Sequence, residues 1–197
     1  MEVFFTADLH FGHARIVELA NRPFASVEEM DEALIANWNA VVRRPDDLVW
    51  VLGDYALGDR RKALGYLDRL NGRKMLVAGN HDKCFLGSSD GWKHIGEYQS
   101  AGFEIVVPWA RIKLPGRKVL LSHFPYDGDS AGEDRHPGAR LRDEGEPLVH
   151  GHVHEMFTLR RSAATGAVQL NVGVDRWHYR PVPATEVVRI IAEADAS

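Results

Sequence analysis

The chain has 197 residues, of which 45% are hydrophobic and 26% charged, so it is long enough to bury one sizeable core. We predict a single globular domain over residues 1–197. The formal net charge of −4 gives no overall attraction to nucleic acid or to an anionic membrane, although a local basic patch remains open. The only cysteine, Cys84, excludes an intrachain disulfide, and no apolar run approaches the ~20 residues that span a bilayer. The chain also opens on a strand-like stretch rather than on a signal sequence, so the expected location is the cytoplasm.

The first half of the chain alternates predicted strands and helices. Three apolar runs have the length of buried strands, at residues 3–7, 48–52 and 75–78. Ser26 and Glu29 have the spacing of a capping box ahead of apolar residues at helical spacing, which predicts a helix that ends before Pro45. Leucines three apart predict a second helix over residues 62–70. The resulting βαβαβ order favours a parallel sheet with helices packed on it.

The second half is richer in strands. Short strands are expected at residues 104–107, 110–114, 118–122, 147–150, 168–172 and 186–190, with little helix between them. We therefore expect a second sheet packed face to face on the first.

One long loop is predicted between the strands of the second half, over residues 125–146. It is rich in acidic residues, and a mobile solvated loop is one interpretation. The other is a lid over a binding site, with Arg135, His136, Arg140 or Arg142 turned inward.

Polar clusters follow several of the predicted strands at the point where each strand ends. The residues concerned are Asp8, His10, Asp54, Asn80, His81, Asp82, His123, His152 and His154. Loops at the carboxyl ends of strands converge in open α/β sheets, so these clusters are expected to face one crevice.

Five motifs in this chain resemble the signature of the calcineurin-like metallophosphoesterases. They are Asp8-Leu9-His10, Gly53-Asp54-Tyr55, Gly79-Asn80-His81-Asp82, the lone His123 and Gly151-His152-Val153-His154, in that order along the chain. The run over residues 8–13 is similar to the small single-domain bacterial and phage members. Ser122 precedes His123 where the family often has glycine, a departure that leaves the histidine itself intact. The resemblance implies a four-layer α-β-β-α sandwich with two mixed sheets.

The resemblance also implies a ligand set for two metal ions. It places Asp8, His10, Asp54 and His154 around one ion, and Asp54, Asn80, His123 and His152 around the other, with Asp54 bridging. Mixed nitrogen and oxygen ligands suit Mn²⁺, the ion we expect, and also Fe, Zn²⁺ or Ni²⁺, better than Ca²⁺ or Mg²⁺. Two such ions activate a shared hydroxide and clamp the phosphoryl oxygens during in-line attack.

A second group of residues is assigned to catalysis and substrate binding. His81 is expected to stabilise charge on the phosphoryl group or to protonate the leaving oxygen, and Asp54 or Asp82 to orient it. For Asp82 a turn or cap role is an equal alternative. The remaining candidates each keep a structural alternative: His13 as a phosphate contact or a plain helix-start residue, and Arg60 and Arg61 as phosphate ligands or a solvated helix start.

Two further residues near the motifs are expected to have structural roles. Asn171 is expected to serve a turn rather than the site, and His150 to lie inside a strand without binding metal.

The function expected from these features is a phosphodiesterase acting on small, nucleotide-type substrates. Nucleic acid as a partner is not indicated by the charge. Three alternatives remain at this level: a phosphomonoesterase, a nuclease component that needs a partner, and a metal-binding scaffold without catalysis.

Overall fold

The computed structural model describes residues 1–129 and 134–196, so that residues 130–133 of the predicted loop lie outside it. The described residues form two five-stranded sheets. The first contains β1 (Val3–Thr6), β2 (Leu48–Val51), β3 (Arg73–Val77), β4 (Phe103–Val107) and β10 (Val182–Pro183). Its order is β10-β1-β2-β3-β4, with β1 to β4 parallel and β10 antiparallel to β1.

The second sheet is also mixed. It contains β5 (Ala110–Leu114), β6 (Arg117–Leu121), β7 (Leu148–His150), β8 (Leu159–Arg161) and β9 (Val168–Asn171). The order is β5-β6-β7-β9-β8, in which β6, β7 and β9 are parallel and both edge strands are antiparallel.

The helices of the described chain are α1 (Ala14–Leu19), α2 (Val27–Val41), α3 (Arg60–Gly65), α4 (Ile95–Ala101) and α5 (Ala184–Asp195). The start of α2 follows the prediction, because the Ser26 hydroxyl accepts a hydrogen bond of 3.1 Å from the Glu29 N–H. The predicted second helix is shorter than expected and passes into a 3₁₀ turn over Tyr66–Arg69. None of the helices in the described ranges is long and apolar enough to cross a membrane.

The hydrophobic core divides into layers according to the period-two alternation of the strands. In the first sheet, Phe4, Val49 and Leu76 face the helices, whereas Phe5 and Trp50 face the second sheet. The outer face of the second sheet is partly covered by side chains of the 125–146 segment. The predicted sandwich of two mixed sheets with helices packed outside is therefore confirmed.

One predicted strand is wrong, and some short elements were not predicted. Residues 186–190 lie in the middle of α5, where Val187 and Ile191 are buried one turn apart and form a helical stripe. The β-branched run resembled a strand because Val187 and Val188 stand together with Ile190. The helix α4 and the strands β8 and β10 were missed, and each is short.

The loops that follow the parallel strands meet at one edge of the molecule. Beyond β1 and β2 the backbones stay paired, since the Asp8 and His10 N–H groups donate to the carbonyls of Gly53 (3.1 Å) and Asp54 (2.9 Å). Ala7, which follows β1, forms an isolated parallel bridge with Gly173, which follows β9, so the two sheets are joined where these strands end. The polar clusters are therefore gathered at this edge.

Candidate metal centre

The seven predicted metal ligands converge on one cleft. The carboxylates and histidines among them are buried or nearly so, and several line a cavity of about 460 Å³. The cavity is lined by His10, Asp54, Asn80, His81, His152 and His154, among others. The predicted convergence of these clusters is thus found in the structure.

One half of the site consists of Asp8, His10 and His154. One ligand atom from each lies within 4.8 Å of the other two, and the rings of His10 and His154 stack with centroids 5.2 Å apart. Both ring nitrogens of His10 are buried without a hydrogen-bond partner among the described residues. Because such buried polar atoms are costly when unpaired, a cation that accepts an imidazole lone pair fits this position.

The other half is centred on Asp54. Its Oδ2 lies 3.7 Å from His10 Nε2 and 3.4 Å from His123 Nε2, so the carboxylate stands between the two histidines. The amide oxygen of Asn80 is 3.2 Å from the same His123 nitrogen. Asp8 also comes within 4.8 Å of Asp54 and His123, so it is close to both halves, whereas the resemblance assigned it to one.

Two of the histidines, His123 and His154, are oriented by hydrogen bonds made at Nδ1. His123 Nδ1 lies 2.8 Å from the carbonyl oxygen of Leu52, and His154 Nδ1 lies 2.9 Å from Asp175 Oδ2. An Nδ1–H that donates to an oxygen leaves Nε2 as a lone-pair donor facing the centre. This arrangement fits metal ligation by Nε2.

The backbone is strained at several of the predicted ligands. Positive φ angles occur at Asp8 (56°), His10 (53°), Asp54 (54°), His152 (71°) and His154 (48°). Each such conformation costs about 1–3 kcal/mol in a residue with a side chain, and such strain is concentrated at functional sites. The fold therefore supports five unfavourable backbone conformations at residues that are grouped around this centre.

Two glycines allow the loops to approach the ligands closely. A Cβ atom on Gly53, whose φ is 86°, would lie closer than 3.0 Å to the ring of His123. A Cβ on Gly79 would lie closer than 3.0 Å to Asp54 Oδ1. The glycines of the GD and GNHD motifs are required by packing against the ligands themselves.

Asp82 joins the loops that follow β2 and β3. Its Oδ2 accepts hydrogen bonds of 2.9 Å from the N–H groups of Asp54 and Gly79, and its Oδ1 accepts one of 3.0 Å from Tyr55. These contacts with backbone amides support the turn or cap role of Asp82, in which its side chain holds the two loops together. The direct catalytic role of Asp82 stays a prediction.

His81 is the exposed member of its motif. Its side chain lines the cleft, with a ring centroid 5.4 Å from that of His10, and its N–H donates to Asp54 Oδ1 at 2.9 Å. Asp54 therefore fixes the backbone of His81, while the imidazole faces the space that a substrate would enter.

A buried arginine and a carboxylate near the centre were missed by the sequence analysis. Arg22 donates to the carbonyls of Asp8 (2.7 Å) and Leu9 (3.0 Å) and pairs with Asp175 at 2.8 Å. Asp175 in turn lies against His154. The signal for Asp175 was present, because it closely follows β9, as other site residues follow their strands. Arg22 carries no comparable pattern.

The electrostatics of the centre favour a cation. Burial raises the pKa of Asp8 to about 6, and burial also lowers the pKa of His10 well below its usual range. Burial lowers the pKa of His123, but the charge and hydrogen bond of Asp54 outweigh it and raise the value to about 9. The carboxylates thus draw in positive charge, and a divalent ion supplies more of it than a protonated histidine.

The structure places the remaining candidates outside the ligand cluster. His13 lines the cleft at the start of α1, with its ring centroid 5.5 Å from that of His10. Arg60 and Arg61 begin α3 and are not among the residues that line the cleft, and Arg60 pairs with Glu97 at 3.0 Å. Substrate binding by these three residues stays a prediction.

The two residues given structural roles are placed accordingly. Asn171 ends β9 and donates hydrogen bonds to the carbonyls of His154 (2.7 Å) and Phe157 (2.9 Å), so it shapes the loop that carries a predicted ligand. His150 is buried at the end of β7.

The predicted lid segment reaches the cleft through some of its residues. Arg135 lines the cleft, and Asp129 Oδ2 lies 3.1 Å from His152 Nε2. His136 and Arg140 line a neighbouring cavity, whereas Arg142 is 88% exposed and lies 3.7 Å from Glu144. Asp129 was not predicted near a ligand. The gating function of the segment stays a prediction.

The comparison with known protein families supports the interpretation of this geometry. The family model described as calcineurin-like phosphoesterase matches residues 1–156. The chain belongs to the calcineurin-like phosphoesterase family. The chain is 43% identical to the gene 66 protein of Mycobacterium phage L5, over 88% of this chain and 86% of the relative. The gene 66 protein of Mycobacterium phage D29 is 38% identical over 98% of this chain and 97% of the relative.

A solved structure shows the same fold across nearly the whole chain. The crystal structure of AQ665, a protein of unknown function from Aquifex aeolicus, superposes with a TM-score of 0.70 at 26% identity, covering 96% of this chain and 99% of that one. Membership of the calcineurin-like phosphoesterase family and the ligand groups together identify a metal-dependent phosphoesterase that uses divalent ions.

Proposed function

We propose that the protein is a dinuclear phosphodiesterase that hydrolyses small, nucleotide-type phosphodiesters with Mn²⁺ as its preferred ion. The observation that carries the dinuclear assignment is the position of Asp54. One of its oxygens is 3.7 Å from His10 and 3.4 Å from His123, which supports a bridging role for this carboxylate.

The side chains divide into two ligand sets around that carboxylate. Asp8, His10 and His154 complete one set, and Asn80, His123 and His152 complete the other. When bound, the two ions supply an activated water and Lewis acidity toward the phosphoryl oxygens. The chain itself contributes the orientation of each imidazole, the bracing of the loops by Asp82, and a cleft in which His81 faces the substrate.

His81 has the position of a group that acts on the substrate. It is exposed toward the cleft, whereas its neighbour Asp82 is buried among backbone amides. We assign His81 to hydrogen bonding with a phosphoryl oxygen and to protonation of the leaving oxygen, which typically accelerates a reaction by 10²- to 10⁴-fold.

The preference for small substrates rests on size and charge. The cleft has a volume of about 460 Å³, which suits a small ligand. Two arginines line the cleft, Arg15 and Arg135, and Arg135 is already paired with Asp129 at 2.7 Å. With a net charge of −4, the protein offers no overall electrostatic attraction to a long duplex backbone.

A single kinetic comparison tests the proposal. The purified protein with Mn²⁺ is assayed for kcat/KM on bis(p-nitrophenyl) phosphate, on p-nitrophenyl phosphate and on a DNA duplex. We expect the diester to be the best substrate. The Asp54→Asn variant, purified in the same way, is the control for a contaminating phosphatase. A tenfold or larger preference for the monoester would mean that the substrate class is wrong.

A further inference from the structure

A second cavity lies directly beside the metal centre. It has a volume of about 660 Å³ and is lined by residues from the loop after β3, from the β4–β5 connection and from residues 135–141. Phe124 forms the wall between the two sites, since its ring lies 4.8 Å from that of His123 and 4.9 Å from that of His152. The volume is within the usual range for a small-molecule site.

The second cavity borders the cleft. Arg135 lines both of them, so the two spaces share a boundary on the side of the predicted lid segment. A ligand with its phosphate at the metal centre has a neighbouring space for one of the groups esterified to that phosphate.

Several side chains that line the cavity are aromatic. Phe85 and Phe124 lie with centroids 5.7 Å apart, and His136 packs 5.1 Å from Phe124. Trp109 is 45% exposed and Leu86 is 47% exposed at the same cavity. Large apolar side chains left in water around a concave space are typical of a ligand site.

The charges around the cavity argue against a second phosphate. Arg140 donates hydrogen bonds to the carbonyls of Pro125 (2.6 Å) and Gly128 (2.8 Å) and pairs with Asp134. Arg135 pairs with Asp129. Since both arginines are engaged by carboxylates, the cavity offers flat apolar surface, which a planar uncharged heterocycle covers well.

We propose that this cavity binds the nucleobase of the substrate, with Trp109 as its principal stacking surface. The inference rests on the proposed phosphoesterase function and specifies the group that the enzyme recognises beyond the phosphate. Stacking on aromatic side chains tolerates different bases, because every base presents a flat π-face. The subsite therefore selects nucleotides over alkyl esters and discriminates weakly among bases.

The kinetic test uses two diesters with the same leaving group. One is the p-nitrophenyl ester of thymidine 5′-monophosphate, and the other is methyl p-nitrophenyl phosphate, which has no base. Trp109→Ala is expected to lower kcat/KM for the thymidine ester about tenfold, the scale of one lost stacking contact, and to leave the methyl ester unchanged. Trp92→Ala is the matched control, because Trp92 is 64% exposed and is not among the residues lining the cavity.

A binding measurement separates failure of this inference from failure of the proposed function. Calorimetry with thymidine 5′-monophosphate is expected to show weaker binding to Trp109→Ala than to the wild type or Trp92→Ala, with or without turnover. If neither diester is hydrolysed but this binding difference is found, the proposed function fails and the subsite stands. If both diesters are hydrolysed and Trp109→Ala affects them equally, or affects neither, the subsite assignment is overturned.

Discussion

Asp175 and His154 form a partly buried pair in which Asp175 Oδ2 lies 2.9 Å from His154 Nδ1. The carboxylate is also held by Arg22 at 2.8 Å, and Arg22 reaches back to the carbonyl oxygen of Asp8. Two predicted ligands from distant parts of the chain, Asp8 and His154, are therefore positioned by one arginine–aspartate pair. The Asp175 carboxylate of this pair places negative charge next to the His154 imidazole, which makes Nε2 a better electron donor.

Asp175→Asn is expected to weaken metal binding at the Asp8–His10–His154 half of the centre by about 10- to 100-fold, as is usual when the hydrogen-bond partner of a ligand is changed. Titration calorimetry with Mn²⁺ measures this. Asp195→Asn is the control, since Asp195 pairs with Arg117 on the surface. If Asp175→Asn binds Mn²⁺ as the wild type does, the positioning role is wrong.

Asp54→Asn is expected to reduce the content of both ions, whereas His10→Ala should mainly remove one. The reason is geometric, because Asp54 stands between His10 and His123 while His10 belongs to one half. Metal analysis of the purified variants after dialysis, by mass spectrometry, gives the stoichiometry. Two tightly bound ions in Asp54→Asn would exclude the bridging role.

Gly53→Ala and Gly116→Ala form a matched pair for testing the packing of the loops. Both glycines have positive φ, 86° and 79°, but a Cβ on Gly116 meets nothing within 4 Å, whereas one on Gly53 meets the ring of His123. We expect Gly116→Ala to lower the free energy of unfolding by about 1 kcal/mol. Gly53→Ala should lower the free energy of unfolding by roughly 1–3 kcal/mol more than Gly116→Ala does, because the added Cβ overpacks the loop. This variant should also bind metal more weakly than the wild type. Urea denaturation of the metal-free proteins measures this difference. An equal loss of unfolding free energy in the two variants would show that the ring of His123 moves away from the added Cβ without cost.

The sequence predicted the parts of the site that are encoded locally. Strand ends followed by Asp, Asn, His and Gly are readable because each motif lies within a few residues, and short continuous apolar runs identified β1, β2 and β3. Arg22 and Asp175 are 153 residues apart, and no local pattern pairs them. Residues 186–190 were assigned to a strand because a β-branched run does not reveal by itself whether its apolar period is two or 3.6.

The nucleobase cavity is a further feature that sequence patterns did not reveal. Its aromatic residues Phe85, Trp109 and Phe124 come from separate loops that meet through tertiary packing. Each of them is isolated in the sequence and gives no periodic signal.

His81→Ala is expected to lower kcat by 10²-fold or more for a diester with a poor leaving group, the scale of a lost acid or electrostatic group. Metal content and the free energy of unfolding should stay near the wild-type values, because the His81 side chain is exposed and only its backbone N–H bonds to Asp54. The substrates are a p-nitrophenyl ester and the corresponding alkyl ester, since protonation of the leaving oxygen matters less when the leaving group is already stable as an anion. A smaller loss on the nitrophenyl ester than on the alkyl ester assigns His81 to leaving-group protonation, and an equal loss on both assigns it to the phosphoryl charge. An unchanged kcat on the alkyl ester would remove His81 from the mechanism.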